Sequence, residues 1–436
     1  MATLTLHCGT LAHLRRDPFL FEDALEIIPA GALAVDPAGR IAAVDRCAPL
    51  RSRFPDAALV DHGEDWLVPG LVDGHLHFPQ FYATAAPGDG LLDWLERSVF
   101  PAEAEFRDPG YAASAAERFV ARLLAAGTTT ALVFGASHYP ATEALFQAAR
   151  RAGLRLIAGL TLMDQNAPPS LLNDLDQARR GMERLIALCT GEPRLRYAVT
   201  PRYPLSCSRA LLELCGAVLA TRPECYLQTH INETQGEIEA VRGAFPGFRH
   251  YLEVYDRFGL LGPRTVLAHS IHSSDAELDR MAATGCAVVH CPTSNLYLGS
   301  GLFPLRRHLE RGVGVAIGTD IGAGTQFSLW RELAEAFKVQ ALQALRLSVA
   351  QLLYLGTLGG ARALRLDGEI GNFAPGKSAD FVILSAGQEG YLAERLRRCE
   401  SLEQQLFCLL HLAGEAQVRA TYSAGRPAPW CDPAGL

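Results

Sequence analysis

Two histidines separated by one residue, His75 and His77, end an apolar run of the chain. Side chains alternate along a β-strand, so the two imidazoles would point to the same side and could bind one metal ion. A pair of core histidines is the alternative, but each imidazole would then need its own hydrogen-bond partner in the interior. The spacing therefore indicates a metal site.

Four further motifs follow in chain order, each after an apolar run. They are HINE (230–233), AHS (268–270), HCP (290–292) and GTD (318–320). Taken singly, they have plain structural explanations: a solvated loop pair, a core histidine, a packed strand end and a helix cap. Together, His75, His77, His230, His269 and Asp320 offer nitrogen and oxygen ligands without thiolate. That set suits a catalytic zinc with an open coordination position, with iron or cobalt as alternatives.

A metal held by these groups would activate water for attack on a substrate. Metal coordination lowers the pKa of water enough to give hydroxide near neutral pH. Glu233, three residues after His230, could then carry a proton from that water to the substrate. The constellation predicts a hydrolytic enzyme.

The apolar runs that precede these motifs alternate with helical stretches between about Leu67 and Leu366. Eight runs are short and β-branched, as strands buried on both faces should be. They are LVPGLVDGHLHF, TTTALVFG, LRLIAGLTLM, RLRYAVTPRY, CYLQTHINE, RTVLAHSIH, CAVVHCPTSN and VGVAIGTDIG. This α/β pattern predicts a parallel, TIM-like (β/α)₈ barrel with its site at the C-terminal ends of the strands.

Both ends of the chain have a different pattern. Short alternating runs broken by Gly, Pro and Asp occupy Thr3–Val60, and GEIGNFAPGKSADFVIL (368–384) has the same character. Such runs favour antiparallel hairpins. We therefore expect a small β-sandwich domain formed from both termini, residues 1–66 and 367–436, around a barrel of residues 67–366.

Composition excludes several classes of function. The 436 residues are 49% apolar and carry a net charge of −7, with no polybasic run, so no nucleic-acid or anionic-membrane partner is expected. Neither a signal peptide nor an apolar stretch of about 18 residues occurs, so we expect no membrane span. Eleven scattered cysteines without a C-x-x-C pair indicate reduced thiols, and hence a cytoplasmic protein.

The motifs together resemble the amidohydrolase superfamily over nearly the whole chain. Its mononuclear, metal-dependent deaminase branch carries HxH, HxxE, AH and GTD in this order, and GEIGNFAPGKSADFVIL resembles its closing strand pair. Members that act on purines are similar in GLVDGHLHFPQF, LLDWLERSVFPAEAEF, LTLMDQNAP, VTPRYPLSC, LQTHINE and HCPTSNLYLGSGLFPL. The segments FPQ (78–80) and TPR (200–202) distinguish them from related deaminases.

The resemblance implies a role for each motif. The implied ligands of one Zn²⁺ per chain, with Fe²⁺ as the alternative, are His75, His77, His230 and Asp320. The implied catalytic residues are Glu233 as proton shuttle, His269 as partner of the activated water or weak ligand, and Asp320 as a proton acceptor. The implied substrate-binding residues are His77, Gln80, Arg202, Tyr203, His230, Glu233 and Asp320. Gln80 and Arg202 would hold the purine edge, Tyr203 would pack on the ring, and Cys291 and Asn295 would have structural or supporting roles.

The reaction that the resemblance implies is hydrolysis of guanine to xanthine and ammonia, with water attacking C2 and Glu233 protonating N3. Relatives more often have Phe at position 203, so 8-oxoguanine, a pterin, an adenosine-type compound or a triazine stays open as the substrate. A metal-free scaffold protein would typically have lost ligands, and all are present. A two-metal amide hydrolase would need a lysine after the fourth strand, where VTPRYPL has none. We expect a small-molecule purine substrate and a homodimer.

Overall fold

A computed structural model describes residues 3–429 of the chain. The strands are β1 (Thr5–Leu14), β2 (Leu25–Val35), β3 (Ile41–Arg46), β4 (Ala58–Pro69), β5 (Leu71–His77), β6 (Thr128–Phe134), β7 (Arg155–Gly159), β8 (Thr161–Leu162), β9 (Leu195–Pro201), β10 (Tyr226–Ile231), β11 (Thr265–His269), β12 (Ala287–His290), β13 (Gly314–Ile317), β14 (Phe381–Leu384), β15 (Val418–Ser423) and β16 (Arg426–Pro427). The α-helices are α1 (Cys47–Arg53), α2 (Leu91–Trp94), α3 (Phe100–Glu105), α4 (Pro109–Ala125), α5 (Tyr139–Ala152), α6 (Leu175–Cys189), α7 (Arg209–Thr221), α8 (Gln235–Ala244), α9 (Tyr251–Arg257), α10 (Asp275–Thr284), α11 (Pro292–Tyr297), α12 (Leu305–Glu310), α13 (Leu329–Leu342), α14 (Val349–Gly356), α15 (Leu358–Ala363), α16 (Tyr391–Arg397) and α17 (Leu402–Leu412).

Eight parallel strands form the barrel in the order β5-β6-β7-β9-β10-β11-β12-β13, and the short β8 pairs with β9. These eight are the strands that the apolar runs predict, in the predicted order. β5, β6 and β7 are buried along their whole length, because helices cover the barrel outside and side chains fill it inside. The predicted (β/α)₈ barrel is confirmed.

Seven strands form a second, separate sheet in the order β16-β15-β14-β4-β1-β2-β3. β1 pairs antiparallel with β2 and parallel with β4, and β14 pairs antiparallel with β4. Both ends of the chain therefore build this sheet, as expected. Only Gly70 separates β4 from β5, and an added Cβ there would lie 2.1 Å from the Thr129 hydroxyl oxygen. The predicted domain boundaries stay a prediction.

Two features of the terminal regions differ from a purely β expectation. Helices α16 and α17 follow β14, and α17 packs on α13 through Phe407 and Phe337, whose ring centroids are 5.5 Å apart. A disulfide joins Cys8 in β1 to Cys47 in α1, so the expectation of reduced thiols is wrong for this pair. Within residues 3–429, no helix combines the length and apolar character needed to cross a bilayer.

A buried ion-pair cluster joins the N-terminal ends of barrel strands to the terminal sheet. Asp380 accepts two hydrogen bonds of 3.1 Å from Arg194 Nη1 and Nη2, and a third from the Ala424 amide at 2.7 Å. Burial alone would raise the pKa of Asp380, but the Arg194 and Arg155 cations outweigh burial and lower it below its usual range. The carboxylate is therefore ionised and paired in the folded state.

Replacement of Asp380 by Asn should destabilise the protein by about 3 kcal/mol at pH 7, because it removes the carboxylate partner of the partly buried Arg194 and leaves the buried Arg155 with Glu369 alone. A carboxyl whose pKa is lowered by folding contributes stability above its unfolded pKa of about 3.9, and loses it as the pH falls through the lower folded value. The difference in the free energy of unfolding between wild type and Asp380→Asn should therefore be largest at neutral pH and decrease below about pH 4. Urea unfolding across pH measures it; equal stabilities at pH 7 would contradict the ion-pair assignment.

Candidate active site

The C-terminal ends of β5 and β13 meet where the barrel closes. Asp73 Oδ1 accepts a hydrogen bond from the Thr319 amide at 3.0 Å, and Oδ2 accepts one from the Thr319 hydroxyl at 2.6 Å. The Asp320 amide donates to the His75 carbonyl oxygen at 2.8 Å. These bonds place the HxH pair directly beside the GTD motif.

The four predicted metal ligands converge at this junction. His75 Nε2 lies 3.2 Å and His77 Nε2 3.3 Å from Asp320 Oδ1. His230 Nε2, at the end of β10, lies 3.2 Å from His77 Nε2. Tetrahedral coordination at about 2.05 Å would separate neighbouring ligand atoms by about 3.3 Å. The observed spacings match groups arranged around one ion.

The protonation states of these groups also suit a cation. His230 Nδ1 donates to the Arg202 carbonyl oxygen at 2.6 Å, which leaves a lone pair on Nε2. Burial lowers the pKa of His75 and His230, and that of His77 to about 3, so all three imidazoles are neutral. Burial alone would raise the pKa of Asp320, but the neighbouring histidines, His75 foremost, bring it well below its usual range. His75 Nε2 is buried without a hydrogen bond, so a divalent cation fits this donor set.

Glu233 and His269 lie beside the ligand cluster. Glu233 Oε1 accepts a hydrogen bond from the Ser300 hydroxyl at 3.0 Å, and Oε2 lies 3.6 Å from His269 Nε2. The His269 ring is oriented by Nδ1, which donates to Asn295 Oδ1 at 2.9 Å, so Nε2 faces the site. Burial raises the pKa of Glu233 to about 7. A carboxyl with this pKa can both accept and donate a proton near neutral pH.

Strained backbone orients several of these side chains. Asn232, His269, Ser270 and Asp320 have φ between 49° and 72°, a conformation that costs non-glycine residues about 1–2 kcal/mol each. Buried hydrogen bonds hold two of them: Asn232 Nδ2 donates to Ser273 Oγ at 2.9 Å, and the Ser270 and Ser273 hydroxyls are 2.7 Å apart. The strand ends thus turn sharply where the predicted catalytic groups lie.

A cavity opens over the cluster. Its lining includes every predicted substrate-binding residue, namely His77, Gln80, Arg202, Tyr203, His230, Glu233 and Asp320. Leu91, Trp94, Leu95 and Leu298 form an apolar wall around the same space. The individual roles of these residues stay predictions.

Two residues of the HCP motif, His290 and Cys291, have no predicted part in this chemistry. His290 packs on Phe303 with ring centroids 4.6 Å apart, and neither of its ring nitrogens has a hydrogen-bond partner within residues 3–429. Cys291 Sγ lies within 4.8 Å of ligand atoms of His75 and Asp320. Burial raises the pKa of this thiol well above its usual value. A structural role suits both residues.

Sequence reasoning assigned no role to three residues that shape the site: Asp73, Glu103 and Ser300. Asp73 precedes the HxH pair and was visible as part of that motif. Glu103 carries no local signal, because its partners Gln80 and Arg202 lie 23 and 99 residues away. Ser300 follows α11, 67 residues after Glu233.

Comparison with known proteins gives the family. Residues 66–426 match the model of the amidohydrolase family. The chain belongs to the amidohydrolase family. A probable guanine deaminase of Deinococcus radiodurans is 43% identical to this amidohydrolase over 429 residues, 97% of this chain and 98% of the relative. The resemblance predicted from the motifs is confirmed.

Two solved structures resemble the whole chain. The E. coli guanine deaminase superposes with a TM-score of 0.93 at 37% identity, covering 98% of this amidohydrolase and 99% of that chain. A guanine deaminase from C. acetobutylicum, solved with bound guanine, gives a TM-score of 0.90 at 27% identity, covering 98% and 100%. The family is generally metal-dependent.

We expect the purified amidohydrolase to hold about one divalent metal ion per chain. Removal by a chelator should lower the unfolding midpoint, since a ligand at 100 times its Kd stabilises the folded state by about 2.7 kcal/mol. His75→Ala should abolish metal binding, whereas His411→Ala, on the distant α17, should not. Elemental analysis and thermal unfolding check this. Metal-free protein with an unfolding midpoint insensitive to chelator and added metal would contradict it.

Proposed function

We propose that this amidohydrolase hydrolyses guanine to xanthine and ammonia and uses one Zn²⁺ ion. The observation that carries the proposal is a single cavity with His75, His77, His230 and Asp320 at one end and the Arg202 guanidinium in its wall. The guanine deaminases among its relatives support the same substrate. The homodimer expected from the sequence stays a prediction, which the molar mass in solution checks.

The donor set favours zinc. Three neutral imidazoles and one carboxylate are borderline ligands that Zn²⁺ accepts in catalytic sites, and no thiolate is offered. When bound there, the metal would lower the pKa of a water molecule and stabilise negative charge that develops on the substrate.

Glu233 would move the protons of the reaction. As the water oxygen bonds to C2, Glu233 takes a proton from the water and passes it to N3 of the purine. The bond from C2 to the exocyclic nitrogen then breaks, and the second proton of the attacking water goes to the departing amino group, giving ammonia and xanthine. The pKa of about 7 that burial gives Glu233 suits both transfers. The Ser300 hydroxyl on Oε1 leaves Oε2 towards His269 and the reacting atoms.

The cavity wall would hold the purine and exclude bulk water. Arg202 offers N–H donors to the O6 and N7 acceptors of guanine. Tyr203, 8% exposed, would pack on the ring. Leu91, Trp94 and Leu95 cover the cavity, and a drier site strengthens each hydrogen bond to the substrate.

Guanine should be preferred over adenine by at least ~10³-fold in kcat/KM, because adenine places its amino group on another carbon and offers a donor where guanine has O6. Ammonia release from guanine, adenine, 8-oxoguanine, a pterin, adenosine and a triazine provides the measurement. A higher kcat/KM for any of the others than for guanine would overturn the substrate assignment while leaving the hydrolytic chemistry intact.

Glu233→Gln should keep the fold and the metal but lower kcat by about 10²–10⁴-fold, since an amide cannot take the proton from water. The matched control is Glu239→Gln, an exposed residue on α8, which should retain wild-type turnover. Steady-state kinetics with metal analysis of both variants checks this. If Glu233→Gln retained more than about a tenth of wild-type kcat, Glu233 would not be the shuttle.

A further inference from the structure

Glu103 is a buried carboxylate that contacts both residues proposed to hold the purine edge. It lies on α3, and its side chain is 4% exposed. Its Oε1 accepts a hydrogen bond from Gln80 Nε2 at 2.8 Å. Arg202 Nη1 donates to Oε1 at 3.0 Å and to Oε2 at 2.9 Å. Glu103 thus joins the 3₁₀ helix Phe78–Ala83 after β5 to the loop after β9.

The charge of Glu103 decides which way the Gln80 amide faces. A carboxylate paired with a guanidinium is ionised, and an ionised carboxylate accepts hydrogen bonds but donates none. Gln80 must therefore turn its NH₂ group to Glu103 and its Oε1 away. Within residues 3–429, Gln80 Oε1 has no hydrogen-bond partner, and Gln80 lines the cavity.

Glu103 also decides which donors Arg202 keeps for a ligand. Nη1 is occupied by Glu103, with Met163 Sδ 3.8 Å away. In the described part of the chain, Nε and Nη2 have no protein partner. The guanidinium carbon lies 5.4 Å from the centre of the Phe100 ring, on the same helix as Glu103, which restricts its position. The wall therefore presents one acceptor, Gln80 Oε1, beside the N–H donors of Arg202.

We propose that Glu103 is a positioning residue that sets the hydrogen-bond polarity of this wall, so that it recognises a ring N–H next to a carbonyl. That pattern is a cyclic amide, which guanine carries as N1–H and C6=O. The inference rests on the proposed function and specifies the substrate class. A purine with an amino group at C6 and an unprotonated N1 has the opposite pattern. Its C6 amino group would face the N–H donors of Arg202, and its N1 lone pair would face the acceptor Gln80 Oε1.

The probe for this polarity is 2,6-diaminopurine. It keeps the amino group at C2 that guanine would lose. It differs from guanine only in having an acceptor at N1 and a donor at C6, where guanine has a donor and an acceptor. The wild-type enzyme should prefer guanine by at least about 100-fold in kcat/KM, since both edge contacts are then mismatched. Near-equal rates on the two purines would overturn the inference without any variant being needed.

Glu103→Gln tests the cause. The amide can donate to Gln80 Oε1 and still accept from Arg202, so Gln80 can turn its NH₂ group into the cavity. The kcat/KM for guanine should fall about 10- to 100-fold, mainly through a higher KM. The ratio of kcat/KM for guanine to that for 2,6-diaminopurine should fall by about tenfold or more. Glu103→Asp, which keeps the charge, should retain the wild-type ratio even if activity falls.

Asp380→Asn is the matched control, because it also replaces a buried carboxylate beside arginines by an amide. It should lower stability and leave the substrate ratio unchanged. If Glu103→Gln also lowered stability but left the ratio unchanged, Glu103 would be a structural residue and the inference would be wrong. If the wild type deaminated neither purine while acting on another heterocycle, the proposed function would fail first, which is a different result.

Discussion

Closure of the barrel between β5 and β13 brings residue 75 and residue 320 into contact, and so places three of the four predicted ligands, His75, His77 and Asp320, beside one another. Buried Asp73 controls that closure, with one carboxylate oxygen on the Thr319 amide and the other on its hydroxyl. The His75 carbonyl oxygen accepts a hydrogen bond from the Asp320 amide. These bonds hold the two histidines of β5 beside the aspartate after β13. The spacing of these three ligands depends on that contact.

Around this junction, unfavourable backbone conformations and buried polar groups place the side chains of the site. Backbone in the left-handed region turns His269 and Asp320 inward, and buried polar groups such as Asn232, Ser270 and Ser273 stabilise the turns. Histidines are held neutral by burial, while the nearby carboxylate stays ionised. A buried carboxylate and left-handed backbone are each unfavourable alone, but together with the neutral imidazoles they complement a cation.

The sequence predicts this architecture well where the signal is local. Eight apolar runs predict the eight barrel strands, and the motifs that follow three of them predict that His230, His269 and Asp320 lie on the same rim. Contacts between distant segments leave no such trace. Glu103 is one of two glutamates on α3, and only the fold brings it to Gln80 and Arg202. The pairing of Cys8 with Cys47 likewise depends on how β1 lies against α1.

The single-residue connection at Gly70 has a consequence for biosynthesis. β4 belongs to the terminal sheet, where Val68 is paired with Val382 of β14, and it continues directly into the strand that carries His75 and His77. A ribosome delivers all eight barrel strands before it delivers β14 and β15. Until then β4 has only β1 beside it, so the newly made barrel begins from a half-built sheet. β14 and β15 thus complete the sheet that supports the first barrel strand, and this support is in place only after both have been translated.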